Sequence, residues 1–228
     1  GEIDPTPLVA VSFVLMYGMM FGDIGHGLML AALGAWIRQR FVDSAAVGTV
    51  LIAAGISASI FGFFYGSLFG REDILPALWL HPLDSILEIL TASIIAGVAL
   101  INIGFLVHVV KTARVRNWGA FFFDRNGVSG ICLYWALVGG GYAVFRRGLP
   151  AEVLATAIAF PAMLIFLQQP LTRLVSGERP LVEENWATFG VQAFFETFET
   201  LIRFVSNTLS FVRLGAFAVA HAGFIGVV

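Results

Sequence analysis

The stretch "LVAVSFVLMYGMMFGDIGHGLMLAALGAWI" (8–37) is apolar except at its centre, and its length decides how the fold begins. As one helix it would reach about 45 Å, whereas the hydrocarbon core of a bilayer is about 30 Å thick. Asp23 and His26 lie at that centre and are disfavoured in lipid. Three glycines there also weaken a helix: Gly22, Gly25 and Gly27. The pattern therefore predicts two short helices, about 8–22 and 24–40, joined by a glycine turn, with one steeply tilted helix as the alternative.

The composition of the whole chain is that of a membrane protein. Of 228 residues, 58% are hydrophobic and 12% are charged, and the mean hydropathy is +0.88. Soluble domains carry about 45–50% apolar and about 25% charged residues. A net charge of -2 without a basic patch gives no indication of nucleic-acid binding. The lipid bilayer is therefore the expected surrounding.

Further apolar runs extend along the chain after the first stretch. A membrane-spanning helix needs roughly 20 apolar residues. Four runs reach or approach that length: 45–69, 89–110, 128–145 and 151–168. The final segment, 189–228, exceeds one membrane thickness, so we expect its N-terminal part to project into water or to tilt strongly. Together these give an all-α polytopic membrane helical bundle of about seven spans, with residues 1–228 forming a single transmembrane domain.

The basic residues predict the orientation of these spans. Cytoplasmic loops carry an excess of Lys and Arg. With a cytoplasmic N-terminus, the inside loops hold Arg38, Arg40, Lys111, Arg114, Arg116, Arg125, Arg173 and Arg179, and the outside loops hold only Arg71, Arg146 and Arg147. The N-terminus is therefore expected inside, with 70–88 as the outer loop and 169–188 as the main cytoplasmic loop.

The final segment carries polar residues in an apolar setting. On one continuous helix, four polar side chains would share a face with Arg213: Glu199, Ser206, Ser210 and His221. Glu199 would lie ~21 Å from Arg213 toward the cytoplasm, and His221 ~12 Å beyond it. A guanidinium cannot shed its proton to escape lipid, so Arg213 predicts a function. An acid, a fixed cation and a titratable imidazole in this order suit proton movement.

Structural alternatives stand beside the functional ones. Glu199 could pair with Arg203 at i,i+4 and be purely structural, and His221 could be a hydrogen-bonded packing histidine. Asp23 with His26 could cap the second helix or line an aqueous path. Histidine spacing indicates no zinc-type cluster, and the chain has no phosphate loop or nucleophile motif. We therefore expect no catalytic residue, no cofactor and no metal.

Two stretches carry a family resemblance. "EIDPTPLVAVSFVLMYGMMFGDIGHGLML" (2–30) and "TLSFVRLGAFAVAHAGF" (208–224) closely resemble the membrane domain of the V-type and A-type rotary ATPase stator, called subunit a, or subunit I in prokaryotes. The glycine that follows Arg213 and Leu214 resembles prokaryotic members, which implies a prokaryotic cell membrane. The family also has a cytoplasmic N-terminal domain that binds peripheral stalks, and a further C-terminal helix. Neither is in this sequence, so we expect a fragment.

The resemblance implies a function in proton transport without hydrolytic chemistry of its own. Arg213 would face a rotating ring of c/K/L proteolipid subunits and displace the proton from each passing ring carboxylate. Glu199 matches the acid of the cytoplasmic half-channel, and His221 matches a residue of the opposite half-channel. Asp23 and His26 match the glycine-turn motif. A shortened, non-conducting scaffold and, less directly, a secondary transporter that binds an anion at Arg213 are the alternatives.

The orientation can be tested with two cysteines in a version of the protein in which Cys132 is replaced by serine. We expect a cysteine at Ser44 to react with an impermeant thiol reagent only from the cytoplasmic side. A cysteine at Ser85 should react only from the opposite face. The measurement is labelling of sealed vesicles of known sidedness, and the reverse pattern would overturn the orientation.

Overall fold

The computed structural model describes residues 6–71, 74–148, 150–177, 179–182 and 185–225, and within them the chain is helical apart from turns and one isolated bridge between Leu68 and Arg71. The helices are α1 (Thr6–Met20), α2 (Ile24–Arg40), α3 (Ala45–Tyr65), α4 (Ile86–Arg114), α5 (Trp118–Phe123), α6 (Val128–Arg147), α7 (Ala151–Phe166), α8 (Gln168–Ser176), α9 (Trp186–Ser210) and α10 (Val212–Ile225). A single 3-10 turn, Val42–Ser44, precedes α3. The chain is an all-α membrane protein.

Three helical stretches of the described residues are long and apolar enough to cross a bilayer: Val42–Tyr65, Ile86–Arg114 and Trp118–Arg147. A fourth candidate is the pair α7 and α8, which is bent by 59°. Helix α1 has 15 residues and α2 has 17, fewer than the roughly 20 that a span needs. The number of seven spans therefore stays a prediction.

The packing divides the chain into two compact units, which we call central and terminal. The central unit is 98–208. The terminal unit contains the described residues up to Gly97 and those from Leu209 onward. The first boundary falls inside α4, and the second falls inside the last turn of α9, after Thr208.

Close helix packing in the terminal unit depends on glycine. A Cβ added at Gly55 would lie 2.5 Å from the backbone of both Gly27 and Ala31, and one at Gly34 would lie 2.7 Å from the carbonyl oxygen of Gly48. Backbones of α2 and α3 can therefore approach only because these positions lack a side chain, as small residues allow in membrane helices. Helix α3 ends at Tyr65 and is capped by Gly66, whose φ of 71° is the left-handed conformation that favours glycine.

The central unit has an aromatic core. The rings of Phe105, Tyr134 and Phe204 lie 5.6–5.7 Å apart in edge-to-face arrangements. Aromatic rings prefer this geometry because a ring edge is positive and a ring face is negative. The hydroxyl group of Tyr134 lies 3.2 Å from that of Thr208 on α9, so a buried polar group is paired. This core fixes one face of α9.

The final segment is interrupted, whereas the sequence predicts one long helix over 189–228. Helix α9 ends at Ser210 and α10 begins at Val212. At the junction, the amide of Leu214 donates to the carbonyl of Phe211 at 3.0 Å, a three-residue spacing in place of the α-helical four. The Phe211 ring packs on Gly97, where an added Cβ would lie 2.2 Å from the ring. Residues 226–228 of the predicted helix lie outside the described part.

The glycine contact predicts a stability difference. We expect Gly55→Ala to lower the stability of the full-length subunit by about 1–3 kcal/mol, because the added methyl group overpacks α2 against α3. Gly104→Ala is the matched control, since no atom lies within 4 Å of its added Cβ and alanine favours a helix. Thermal unfolding in detergent measures both. Equal midpoints for the two variants would contradict the packing argument.

Candidate functional site

Asp23 forms the centre of a hydrogen-bonded turn between α1 and α2. Its side chain is fully buried and caps α2, since Oδ1 accepts hydrogen bonds from the amide of His26 at 2.8 Å and from His26 Nδ1 at 2.9 Å. The same oxygen accepts from the Phe69 amide at 3.2 Å. Oδ2 accepts from Ser67 Oγ at 2.9 Å and from the Gly70 amide at 2.6 Å. One carboxylate therefore joins the glycine turn to the segment after α3.

The sequence left two roles open for Asp23, a cap of α2 or the lining of an aqueous path, and the structure contains the capping hydrogen bond. Because an ionised carboxylate only accepts hydrogen bonds, His26 Nδ1 carries the hydrogen of their contact. Asp23 thereby fixes the orientation of His26, whose side chain is 47% exposed. Whether the two residues also line an aqueous path stays a prediction.

His221, on α10, packs against the turn. Its ring lies 5.6 Å from that of Phe21 and 5.8 Å from that of His26, both edge-to-face. Its Nε2 is buried, and in the described part of the chain this atom has no hydrogen-bond partner. One ring nitrogen of each histidine and one oxygen of Asp23 lie within 4.8 Å of one another. The sequence did not indicate this cluster, because His221 is distant along the chain from the other two residues.

Arg213 is exposed on α10. Its Nη2 lies 3.4 Å from Ser210 Oγ, and within the described residues no acidic group lies within ion-pair distance. The helix is held on its opposite side, where a Cβ added at Gly215 would lie 2.7 Å from Ser93 Oγ and 3.1 Å from the Ile89 carbonyl oxygen. Close packing through Gly215 therefore leaves the guanidinium on a surface that α4 does not cover.

Glu199 and Arg203 form an ion pair along α9. Their side chains are 60% and 41% exposed, so water or another chain can reach both. Pairs at this spacing on an exposed helix contribute only about 0.3–0.5 kcal/mol. The i,i+4 pair expected as the structural alternative is thus present, but it does not bury the acid.

Helix α9 has two faces of different character. One face is buried in the central unit and consists of Phe189, Ala193, Thr200, Phe204 and Thr208. The other carries Glu199, Ser206 and Ser210 among exposed apolar side chains: Phe194, Phe195, Phe198, Ile202, Val205 and Leu209. This face has the mixed character of a surface that meets lipid or another membrane protein.

A polar cavity of about 500 Å³ in the central unit contains groups that the sequence analysis did not single out. Its polar lining includes Gln168, Arg173, Gln192 and Glu196. Gln192 Nε2 donates to Glu196 Oε1 at 2.9 Å. A smaller cavity of about 170 Å³ shares Glu196 and also has Asp124 in its wall. Gln192, Glu196 and Thr200 are spaced four residues apart along α9, and this spacing in the sequence could have indicated a row of polar groups on one side of the helix.

Comparison with known proteins gives consistent results. No family model matches the chain. The A-type ATP synthase subunit I of Halobacterium salinarum is 29% identical over 251 aligned residues, which cover all of this chain and 32% of that protein. The V-type ATP synthase subunit I 2 of Treponema pallidum is 29% identical over 142 residues, or 51% of this chain and 31% of that protein. The A-type subunit I of Pyrococcus horikoshii is 24% identical over 235 residues, or 98% of this chain and 32% of that protein.

The chain spans about a third of the length of the curated relatives it matches. Several of these alignments extend over essentially all of its residues, including both the glycine turn and the Arg213 segment. Its apolar helices agree with a membrane subunit. The expected resemblance is therefore confirmed: along most of its length the chain is similar to proteins named subunit I of the A-type and V-type ATP synthases.

Proposed function

We propose that this chain is the proton-translocating membrane part of a rotary ATPase stator, and that Arg213 controls proton release at a rotating proteolipid ring. The observation that carries the proposal is the exposed guanidinium of Arg213, which the described residues provide with no acidic partner. A charge within an apolar helix costs on the order of 3 kcal/mol or more without compensation. In this proposal the counter-charge comes from another subunit.

A ring carboxylate is the partner that makes this charge useful. An ionised carboxylate beside Arg213 is stabilised by the attraction, so it gives up its proton when the ring brings it there. The same carboxylate must take up a proton before it moves into lipid, because an unpaired charge is costly in that medium. Arg213 thus separates a place of release from a place of uptake and prevents direct leakage between them.

The cytoplasmic side of the path is proposed along α9. In the predicted topology the N-terminal end of α9 lies toward the cytoplasm, and Glu199, Ser206 and Ser210 are exposed on the helix. The cavity beside Glu196 supplies further polar surface with room for water. Carboxylates with water between them pass protons without an apolar barrier. This part of the chain therefore supports a cytoplasmic half-channel.

The opposite half-channel is proposed at Asp23, His26 and His221. Imidazole titrates near neutral pH, so it can take up and release protons under physiological conditions. His26 is partly exposed and its ring lies 5.8 Å from that of His221, so one water molecule could bridge them. Asp23 positions His26 through the Nδ1 hydrogen bond. In this proposal Asp23 acts through the histidine and does not itself relay protons.

The partners and location follow from the same proposal. The chain crosses a prokaryotic cell membrane several times with its N-terminus in the cytoplasm, and it has no hydrolytic activity of its own. The exposed face of α9 meets the proteolipid ring, and the peripheral stalks attach through a domain outside this sequence. A non-conducting scaffold of the same family is the competing function, because an exposed apolar face would also serve assembly.

Substitution of Arg213 distinguishes conduction from scaffolding. We expect Arg213→Ala and Arg213→Lys to abolish ATP-driven proton pumping in sealed vesicles while the complex still assembles. Lysine keeps a charge but is a compact ammonium with fewer donors that can lose its proton when desolvated. His221→Ala should only slow pumping, because water can replace an imidazole in a wet channel.

Fluorescence quenching of a pH-sensitive dye measures pumping, and the yield of intact complex is the control. If the chain is a non-conducting scaffold, an assembled Arg213→Ala complex should pump protons normally. That result would contradict the proposal that this chain conducts protons.

The Asp23 contacts predict a second difference. Asn in place of Asp23 presents an NH2 group where one carboxylate oxygen accepts hydrogen bonds, so a buried donor is left without an acceptor at a cost of about 1–3 kcal/mol. We expect Asp23→Asn to lower the thermal midpoint of the subunit and to slow pumping by the complexes that remain. Ser67→Ala, which removes one of the five hydrogen bonds, should have smaller effects. An unchanged midpoint in Asp23→Asn would show that the turn does not depend on the carboxylate.

A further inference from the structure

The cluster of Asp23, His26 and His221 has the composition of a transition-metal site. One ligand atom from each residue lies within 4.8 Å of the others. Two imidazoles and a carboxylate are ligands that Zn²⁺ binds in three-ligand sites, with bonds of about 2.0–2.2 Å. Ligand atoms around a tetrahedral ion lie about 3.4 Å apart at such bond lengths. The longest of these separations therefore needs to shorten by about 1.4 Å, the difference between 4.8 Å and the tetrahedral spacing.

We propose that Asp23, His26 and His221 bind a divalent transition-metal ion of the Zn²⁺ class. The pairing of imidazole nitrogen with carboxylate oxygen favours such ions over Mg²⁺ and Ca²⁺, which prefer oxygen ligands alone. With both histidines neutral, the three side chains carry one negative charge, which attracts a dication. The ring carboxylate and Arg213 take no part in this site.

The ligands are already held in place before an ion arrives. Asp23 is fixed by its hydrogen bonds with Ser67 and with the Gly70 amide. The His26 ring packs edge-to-face on Phe69 at 5.4 Å, and the His221 ring packs on Phe21 at 5.6 Å. Side chains held by packing and by outer hydrogen bonds lose little freedom when they bind a metal. The site is therefore largely preorganised.

Two further observations point to a ligand at this position. The Nε2 atom of His221 is buried and lacks a hydrogen-bond partner among the described residues, and a buried polar atom without a partner costs free energy. A metal ion, or a water molecule bound to one, would satisfy it. His26 is 47% exposed, so an ion can reach the cluster from outside the protein. The unpaired His221 Nε2 atom therefore favours metal binding, and the exposed side of His26 gives an ion access to the cluster.

Binding can be measured directly on the full-length subunit, purified in detergent and freed of metal with a chelator. After dialysis against buffered micromolar Zn²⁺, we expect it to retain one more zinc ion than the double variant His26→Ala/His221→Ala. His26→Ala alone and His221→Ala alone should each raise the dissociation constant for zinc by tenfold or more. His81→Ala is the matched control, because it removes a histidine of the same unit outside the cluster. Equal zinc content in the unaltered subunit and the double variant would overturn the site.

A second measurement does not depend on the folding of variants. The X-ray absorption spectrum of the unaltered subunit loaded with one equivalent of zinc should show the scattering of two imidazole ligands with nitrogen or oxygen near 2.0 Å. A spectrum without imidazole scattering would overturn the proposal. Zinc should also slow proton pumping by the complex, and not by the double variant, if the histidines conduct protons. Zinc that binds without slowing pumping would uphold the site and contradict the proposed half-channel, so the two proposals fail separately.

Discussion

The charge of Arg213 is the constraint on which the proposed function of this chain depends. A guanidinium keeps its proton under all physiological conditions, so an apolar environment can hold it only beside an opposite charge or near water. The described residues give Arg213 a serine hydroxyl group at 3.4 Å and no acid. Packing through Gly215 on one side of α10 leaves the guanidinium exposed on another. The described residues therefore pack α10 closely on α4 and provide no acidic partner for the Arg213 charge.

Asp23 is the opposite case, because this chain provides five hydrogen-bond donors for its charge. Five hydrogen bonds converge on its two oxygens from the α2 N-terminus and from Ser67, Phe69 and Gly70. Such a carboxylate holds structure in place, because each donor would otherwise be unpaired. In the proposed function, the contribution of Asp23 to transport is indirect, because it fixes the position of His26. The terminal unit thus contains an anion, Asp23, that accepts five hydrogen bonds, and a cation, Arg213, that has no acidic partner among the described residues.

Several features could be predicted from the sequence because they depend on composition or on neighbouring residues. The all-α membrane class follows from long apolar runs, and the capping role open to Asp23 follows from its place before a helix. Other features depend on contacts between distant segments. The hydrogen bonds from Ser67 and Gly70 to Asp23, and the contact of His221 with His26, cannot be inferred from spacing. The interruption at Phe211 also escapes a periodicity argument, since both sides of it are apolar and helical.

Some polar groups of the chain have hydrogen-bond or ion-pair partners among its described residues, and others do not. This difference indicates where another molecule binds better than residue type does. Tyr134 and Thr208 pair in the aromatic core and need nothing further. Among the described residues, Arg213 has a serine hydroxyl group at 3.4 Å but no acidic partner, and the Nε2 atom of His221 has no hydrogen-bond partner. A buried or membrane-embedded polar group without a partner costs free energy in the isolated chain, and it recovers that cost only when something binds. For Arg213 the proposed partner is an anion from another subunit. His221 lies beside a second imidazole and a carboxylate, and a water molecule that carries protons or a metal cation are the two proposed partners. Both would occupy the same position between these side chains.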